Sequence, residues 1–416
     1  MKAKQDKRGN EARGTAETVW QLIDRLCPGG VPYRKLGEMC EMKRGTAVTK
    51  KGISEGDIPV IAGGKTPAYF CNIHNRDGET ITVAGSGAYA GYVQYWTRPI
   101  FVSDAFSVKG KLGVLTKFVY YALTGKQNEI YRTKKGGGVP HVHISSIESL
   151  PIPVPPLEVQ REVVRILDKF TELEAELEAE LEARLKQYAH YRDCLLSFPQ
   201  GPAAPHGESE PRLPERLAQM VSRLCPDGVP YRKLGEVCEF PTERISMSNA
   251  KCYVGVENLV KDRGGANVSY DFPKADTAIA FKSGDVLIGN IRPYLRKIWL
   301  ADSEGGTNGD VILIRVASES LNARYLYYNL SSESFFYFLN NGARGGKMPR
   351  GDKKSVPTYP IPLPPPQVQR EVVRILDKFS ELTTSLTSGL PAEIAARRKQ
   401  YEYYRDKLLS FPRRER

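Results

Sequence analysis

Lysine, arginine, tyrosine and glycine gather in a few short stretches of this 416-residue chain, and their joint chemistry is that of gripping a polyanion. In the first half these are Gly63-Gly64-Lys65, the run GSGAYAGYVQYW that carries Tyr89 and Tyr92, and the segment Arg132–Gly138 with Arg132, Lys134 and Lys135, followed closely by His141. In the second half they are Asn290–Lys297, with Asn290, Arg292, Tyr294, Arg296 and Lys297, and Gly342–Arg350, with Arg344, Lys347 and Arg350. Glycines let a main chain approach a phosphate backbone, and cations supply a salt-dependent attraction. Arginine reads guanine edges bidentately and asparagine reads adenine, which makes Arg292, Arg344 and Asn290 candidate base readers. Any one of these residues alone could equally be a solvated turn; the clusters carry the reading.

Catalytic patterns fail on their spacing. The Gly63–Thr66 stretch ends like a phosphate loop, but the first glycine of that motif falls on Pro59, and Gly345-Gly346-Lys347 is followed by Met348. Gly85–Ala90 matches a dinucleotide fingerprint formally, yet the β-rich GYVQYW follows where a helix N-terminus is needed. No [DN]PP[FY] tetrapeptide of an amino-methyltransferase occurs. His141 and His143 would share one face of a strand, but no nearby cysteine or acidic cluster completes a metal set. The chain is therefore expected to be non-catalytic, with no metal or cofactor of its own.

Bulk properties agree with a globular nucleic-acid partner. The net charge is +12, and it is concentrated where the candidates lie. Lys43–Leu150 holds 14 Lys/Arg against 7 Asp/Glu, and Phe240–Tyr359 holds 16 against 12, whereas Glu158–Leu195 holds 6 against 10. No apolar run is long enough to span a membrane, and the basic N-terminus lacks a signal-like apolar core. Seven cysteines with no CxxC pair read as reduced, packed thiols, so a cytoplasmic location is expected.

The elements that must position these clusters are written twice. Arg25–Glu41 and Arg223–Glu239 agree at 15 of 17 positions, and Val159–Phe170 is identical to Val368–Phe379. Each half runs through a helical lead-in (Ala16–Leu26, Pro214–Leu224), the CPxGVPYRKLGE passage, an unlike insert with strand-like runs, and a proline-rich exit at 150–159 or 359–368. A long helix follows each exit. Leu167, Phe170, Leu173, Leu177, Leu181 and Leu185 in the first, and Leu376, Phe379, Leu382, Leu386 and Leu408 in the second, recur at three- and four-residue steps. That narrow stripe predicts that the two helices pair as a coiled coil, the alternative being that each packs onto its own insert. The offset between copies is 209 residues at the start of the helices and 213 by Tyr191/Tyr404, a four-residue stutter beside Gly389 and Pro391, where the second helix should kink or break.

At this point the chain resembles the specificity (S) subunits of type I restriction–modification systems. The carrying residues are the duplicated KLGE (Lys35–Glu38, Lys233–Glu236), the exits Ile152–Phe170 and Ile361–Phe379, and the closing KQYAHYRDCLLSF and KQYEYYRDKLLSF at 186–198 and 399–411. The resemblance implies an α+β fold with two mixed α/β target recognition domains in a pseudo-two-fold arrangement, separated by two long helices paired as an antiparallel coiled coil. The division is 1–157 for the lead-in and first recognition domain, 158–198 for the first spacer helix and 199–213 for a linker. The second recognition domain is 214–366 and the second spacer helix 367–416. It further implies double-stranded DNA as ligand, with each domain reading one half of a bipartite target. Implied partners are two copies of a modification (methyltransferase) subunit and restriction subunits, which would hold the S-adenosylmethionine, ATP and Mg2+. The competing expectation is a coiled-coil scaffold that binds two protein partners without DNA specificity.

Overall fold

The computed structural model describes residues 19–48, 54–136, 138–198, 213–384 and 389–414. The chain divides into two compact units, one drawn from Met1–Ala179 with Ala392–Arg416 and the other from Glu180–Pro391. Each unit therefore combines one insert with stretches of both long helices. The Leu386 position and the linker 199–212 lie outside the described residues.

The duplicated passages form the same foot beneath each insert. Strand Tyr33–Lys35 pairs antiparallel with Pro151–Pro153, placing Arg34 opposite Ile152. Tyr231–Lys233 pairs with Pro360–Pro362, placing Arg232 opposite Ile361. Entry and exit are thus zipped together in one register, on two-stranded ribbons where proline is tolerated. The KLGE turn secures them. Leu36 and Leu234 are fully buried, and their backbone N–H groups donate to the carbonyls of Leu150 and Tyr359, both at 3.0 Å. A Cβ on Gly37 would sit 3.3 Å from that of Glu148, and one on Gly235 3.1 Å from that of Pro357, so in both copies glycine lets the two chain segments approach closely without displacing a neighbour. Cys40 and Cys238 follow at equivalent buried positions, where burial pushes each thiol up to about 12.

Above each foot stands a four-stranded antiparallel sheet in one common order. It runs Cys40–Arg44, Ala105–Gly110, Thr80–Ala84, Val93–Trp96 in the first unit, and Cys238–Glu239, Val311–Val316, Val286–Gly289, Ile298–Leu300 in the second. The additional three-stranded sheets differ. In the first unit, Ile58–Ile61 pairs antiparallel with Tyr69–Cys71 and parallel with Phe101–Val102. In the second, Arg244–Ser246, Thr277–Phe281 and Gly305–Thr307 are all antiparallel. The inserts share a frame and diverge around it.

The helix stripe does two jobs, the expected pairing and the alternative to it. Its first turns pack on the helix's own insert. Val159, Val163 and Leu167 are fully buried in a cluster with Phe118 and Tyr121, and Val368, Val372 and Leu376 are buried with Tyr325 and Tyr328. Equivalent polar clasps reinforce this. Gln160 Nε2 donates to the carbonyls of Pro155 (2.8 Å) and Gly113 (3.1 Å) while its Oε1 accepts from the Leu115 N–H. Gln369 repeats the pattern with Pro364, Ser320 and Asn322. Tyr121 and Tyr328 each donate at 2.5 Å to Asp168 or Asp377, and burial first, then that carboxylate, raises both phenols.

Further along, the helices pair antiparallel. The first is continuous over Leu157–Leu195, about 58 Å at 1.5 Å per residue. The second consists of Pro366–Thr384 and Leu390–Leu408, interrupted where Gly389 takes φ +96° ahead of Pro391. In the first unit Phe170 stacks on Tyr404 at 5.5 Å, and Arg398 bridges Glu174 and Glu178. In the second unit Tyr191 stacks on Phe379 at 5.4 Å. Leu173, Leu177 and Leu181 are half-buried. Leu185 and Leu382 correct the expected seam, being 42% and 47% exposed.

The closing passages complete the exchange. Tyr33 Oη donates to the Phe411 carbonyl and Tyr231 Oη to that of Phe198, both at 2.9 Å. Each entry strand therefore holds the C-terminal end of the long helix that belongs, in sequence, to the other half.

Candidate nucleic-acid interface

In the first unit three loops converge on one end of the four-stranded sheet. The hairpin between Thr80–Ala84 and Val93–Trp96 carries Tyr89, which is 45% exposed, and Tyr92. The Lys65 ammonium lies 5.1 and 5.2 Å from these two rings, and Gln94 donates to the Lys65 carbonyl. The ring faces attract the ammonium, and Lys65 stays exposed. Lys134 donates to the Ala88 carbonyl at 3.2 Å and covers the Tyr131 ring. Lys135 and His141 exchange two backbone hydrogen bonds, at 2.9 and 2.7 Å, and His141 also bridges to Ser86. Arg132 is exposed at the end of helix Gln127–Arg132. The fold thus brings Lys65, Tyr89, Tyr92, Lys134, Lys135 and His141 together, with Arg132 at the margin. His141 and His143 stack at 6.1 Å, and among the described residues no group of three or more metal-type ligands assembles.

The second unit keeps some candidates at the surface and withdraws others. Arg292, Tyr294, Arg344, Lys347 and Arg350 are exposed, Tyr294 by 51%. Asn290 is only 4% exposed, so the adenine-reading role expected for it fails: its backbone is woven between Asp310 and Gly351 at the base of the hairpin, and its Oδ1 is buried without a hydrogen-bond partner. Lys297 is spent on the fold, its ammonium donating to the Val256 carbonyl at 2.6 Å, and burial lowers its pKa. Arg296 pairs with Glu333 at 3.1 Å. Arg350 is held by Asp310 at 3.1 Å yet stays well exposed. Arg292 and Arg296 both adopt the left-handed region, with φ of 52° and 49°. Non-glycine residues pay for that conformation, and such strain concentrates where a loop must present a side chain.

One correspondence was hidden in the sequence. Lys135–His141 (KGGGVPH) and Arg344–Arg350 (RGGKMPR) keep the 209-residue offset of the helices, although the text around them differs. The marker that could have found it is the Gly-Gly pair followed by a proline at a fixed distance.

A family model described as "type I restriction modification DNA specificity domain" matches the chain twice, over residues 28–187 and 226–396. This chain belongs to that specificity family. Both matches begin in the CPxGVPYRKLGE passage and extend into the long helices, so they cover the duplicated framework as well as the inserts. A type I restriction enzyme specificity subunit of Escherichia coli is 29% identical, the alignment covering 94% of this chain and 98% of that one. A putative type I specificity subunit of Haemophilus influenzae gives the same identity and coverage. Two solved structures share the fold. The S subunit of a type I restriction–modification system from M. genitalium aligns with TM-score 0.54 at 18% identity, covering 91% and 96% of the two chains. A chain from a study titled for complex assembly and conformational transition of the type I system aligns with TM-score 0.56 at 17% identity, covering 91% and 97%. Among the described residues of this specificity-family chain, no helix is long and apolar enough to cross a membrane.

Proposed function

We propose that this chain is the DNA sequence-specificity subunit of a type I restriction–modification complex, each insert reading one half of a bipartite duplex target. The observation that carries the reading is duplication with divergence. Two framework copies, matched to the level of Gln160/Gln369 and Tyr33/Tyr231, each support one common sheet whose loop end bears different cations and aromatics. On this reading the chain is non-catalytic and works in the cytoplasm. Methyl transfer and cleavage belong to partners: two modification subunits docked on the equivalent helical framework, holding S-adenosylmethionine, and restriction subunits using ATP and Mg2+. The surface candidates Lys65, Tyr89, Lys135, Arg292, Tyr294, Arg344, Lys347 and Arg350 are the proposed DNA contacts.

A salt titration of the chain, assembled with its modification subunit, on duplex DNA tests this. The logarithm of affinity should fall steeply and linearly with that of salt concentration, since each neutralised phosphate contributes a slope of about −0.9. Binding that is absent, or indifferent to salt, would reject the reading.

A further inference from the structure

The two inserts share more of their interface than their sequences suggest, and the shared part follows one backbone pattern. In the first unit the Val142 N–H donates to the Gly85 carbonyl and the Gly87 N–H to that of Pro140; in the second, Gly351 donates to Asn290 and Arg292 to Pro349. Lys135 and His141 exchange a reciprocal pair of backbone bonds, as do Arg344 and Arg350. The glycine after each cation takes the same left-handed turn, φ +112° at Gly136 and +108° at Gly345, which a residue with a Cβ would strain to adopt. The tip of the facing hairpin carries an exposed tyrosine in both units, Tyr89 and Tyr294, each four residues beyond the hydrogen-bonded Gly85 or Asn290. At the hairpin base the carbonyls of Asp104 and Asp310 accept from Gly85 and Asn290. Their carboxylates then hold Ser86 and Arg350 respectively.

Within this frame the side chains fall into two groups. A cation at Lys135/Arg344 and a ring at Tyr89/Tyr294 are common to both units. Gly87 against Arg292, Gly138 against Lys347, and Lys65, whose loop belongs to a sheet that differs between the units, are not. Contacts kept in common by two domains that otherwise diverge fit best with the part of a duplex that every sequence shares, and the phosphate backbone is that part.

We propose that Lys135 and Arg344 are equivalent phosphate-backbone contacts of a clamp built into both recognition domains, and that target choice resides at the unlike positions, led by Arg292 and Lys347. This rests on the DNA-specificity reading above, and it moves Arg344 from the base-reading role its side chain suggested to a phosphate contact. Both clamp cations are exposed and hold their place through main-chain bonds, so shortening the side chain leaves the hairpin intact.

The test uses the full chain with its modification subunit, a mixed-sequence duplex, and selection from a randomised duplex pool. Lys135→Ala and Arg344→Ala should each weaken binding to both DNAs by one common factor, about tenfold. Each should also reduce the salt slope by about 0.9 and leave the selected sequence unchanged. Lys135→Arg should restore the slope, showing that the charge and not the fold was lost. Arg292→Ala should instead relax the selected sequence in one half. A changed consensus for Lys135→Ala, or an unchanged mixed-sequence affinity and slope, would overturn the clamp while leaving DNA specificity standing. Wild-type complex that binds no duplex would remove both.

Discussion

At the scale of the residue, the least conspicuous side chains do the most to define this molecule. Gln160 is 1% exposed and Gln369 fully buried, and each satisfies two carbonyls and one N–H at the junction of insert and long helix. Truncation strands several buried backbone groups at about 1–3 kcal/mol each. Gln160→Ala should therefore lower the stability of its unit by about 3 kcal/mol, and Gln369→Ala should do the same in the other unit. Gln160→Glu should be no better, since a carboxylate cannot donate to the Pro155 and Gly113 carbonyls. Hydrogen exchange resolved by segment would check this, and protection unchanged in 113–125 would contradict it. Neither glutamine stood out in the sequence, because both lie inside the identical twelve-residue passage where every position looks equally marked. The surface cations were legible from composition. Which of them are free to meet DNA was not, because Asn290, Arg296 and Lys297 are claimed by carbonyls, an acid and burial that lie far off in the chain.

At the scale of the element, the repeat is the framework, and the paired strands and antiparallel helices follow from it. Period and proline placement were enough to locate the long helices and the break at Gly389. Period could not divide the stripe between pairing and packing on an insert, because the same three- and four-residue spacing serves an insert face and a partner helix alike. The crossed hold of Tyr33 on Phe411 and Tyr231 on Phe198 is also invisible to local patterning, since it joins the beginning of one copy to the end of the other. The four-residue offset has a consequence for function. If the second helix segment sets half-site spacing, deleting Gly389–Ala392 should shift the spacing between half-targets, read by methylation-sensitive sequencing, without altering either half. An unchanged spacing would remove the role assigned to the stutter.

At the scale of the whole molecule, the division of labour is between what the copies share and what they do not. The four-stranded sheet, its foot and its clasps are common, while the three-stranded sheets and the loop side chains diverge. Asymmetry of a bipartite target then belongs to the inserts alone. The most direct measurement exchanges the second insert, Phe240–Tyr359, for the matching segment of the Haemophilus influenzae relative and sequences the methylated sites made by the complex with its modification subunits. One half of the recognised target should change to a new sequence while the other half stays as in the parent chain. A target that changes in both halves, or in neither, would contradict the assignment of one half-site to each insert.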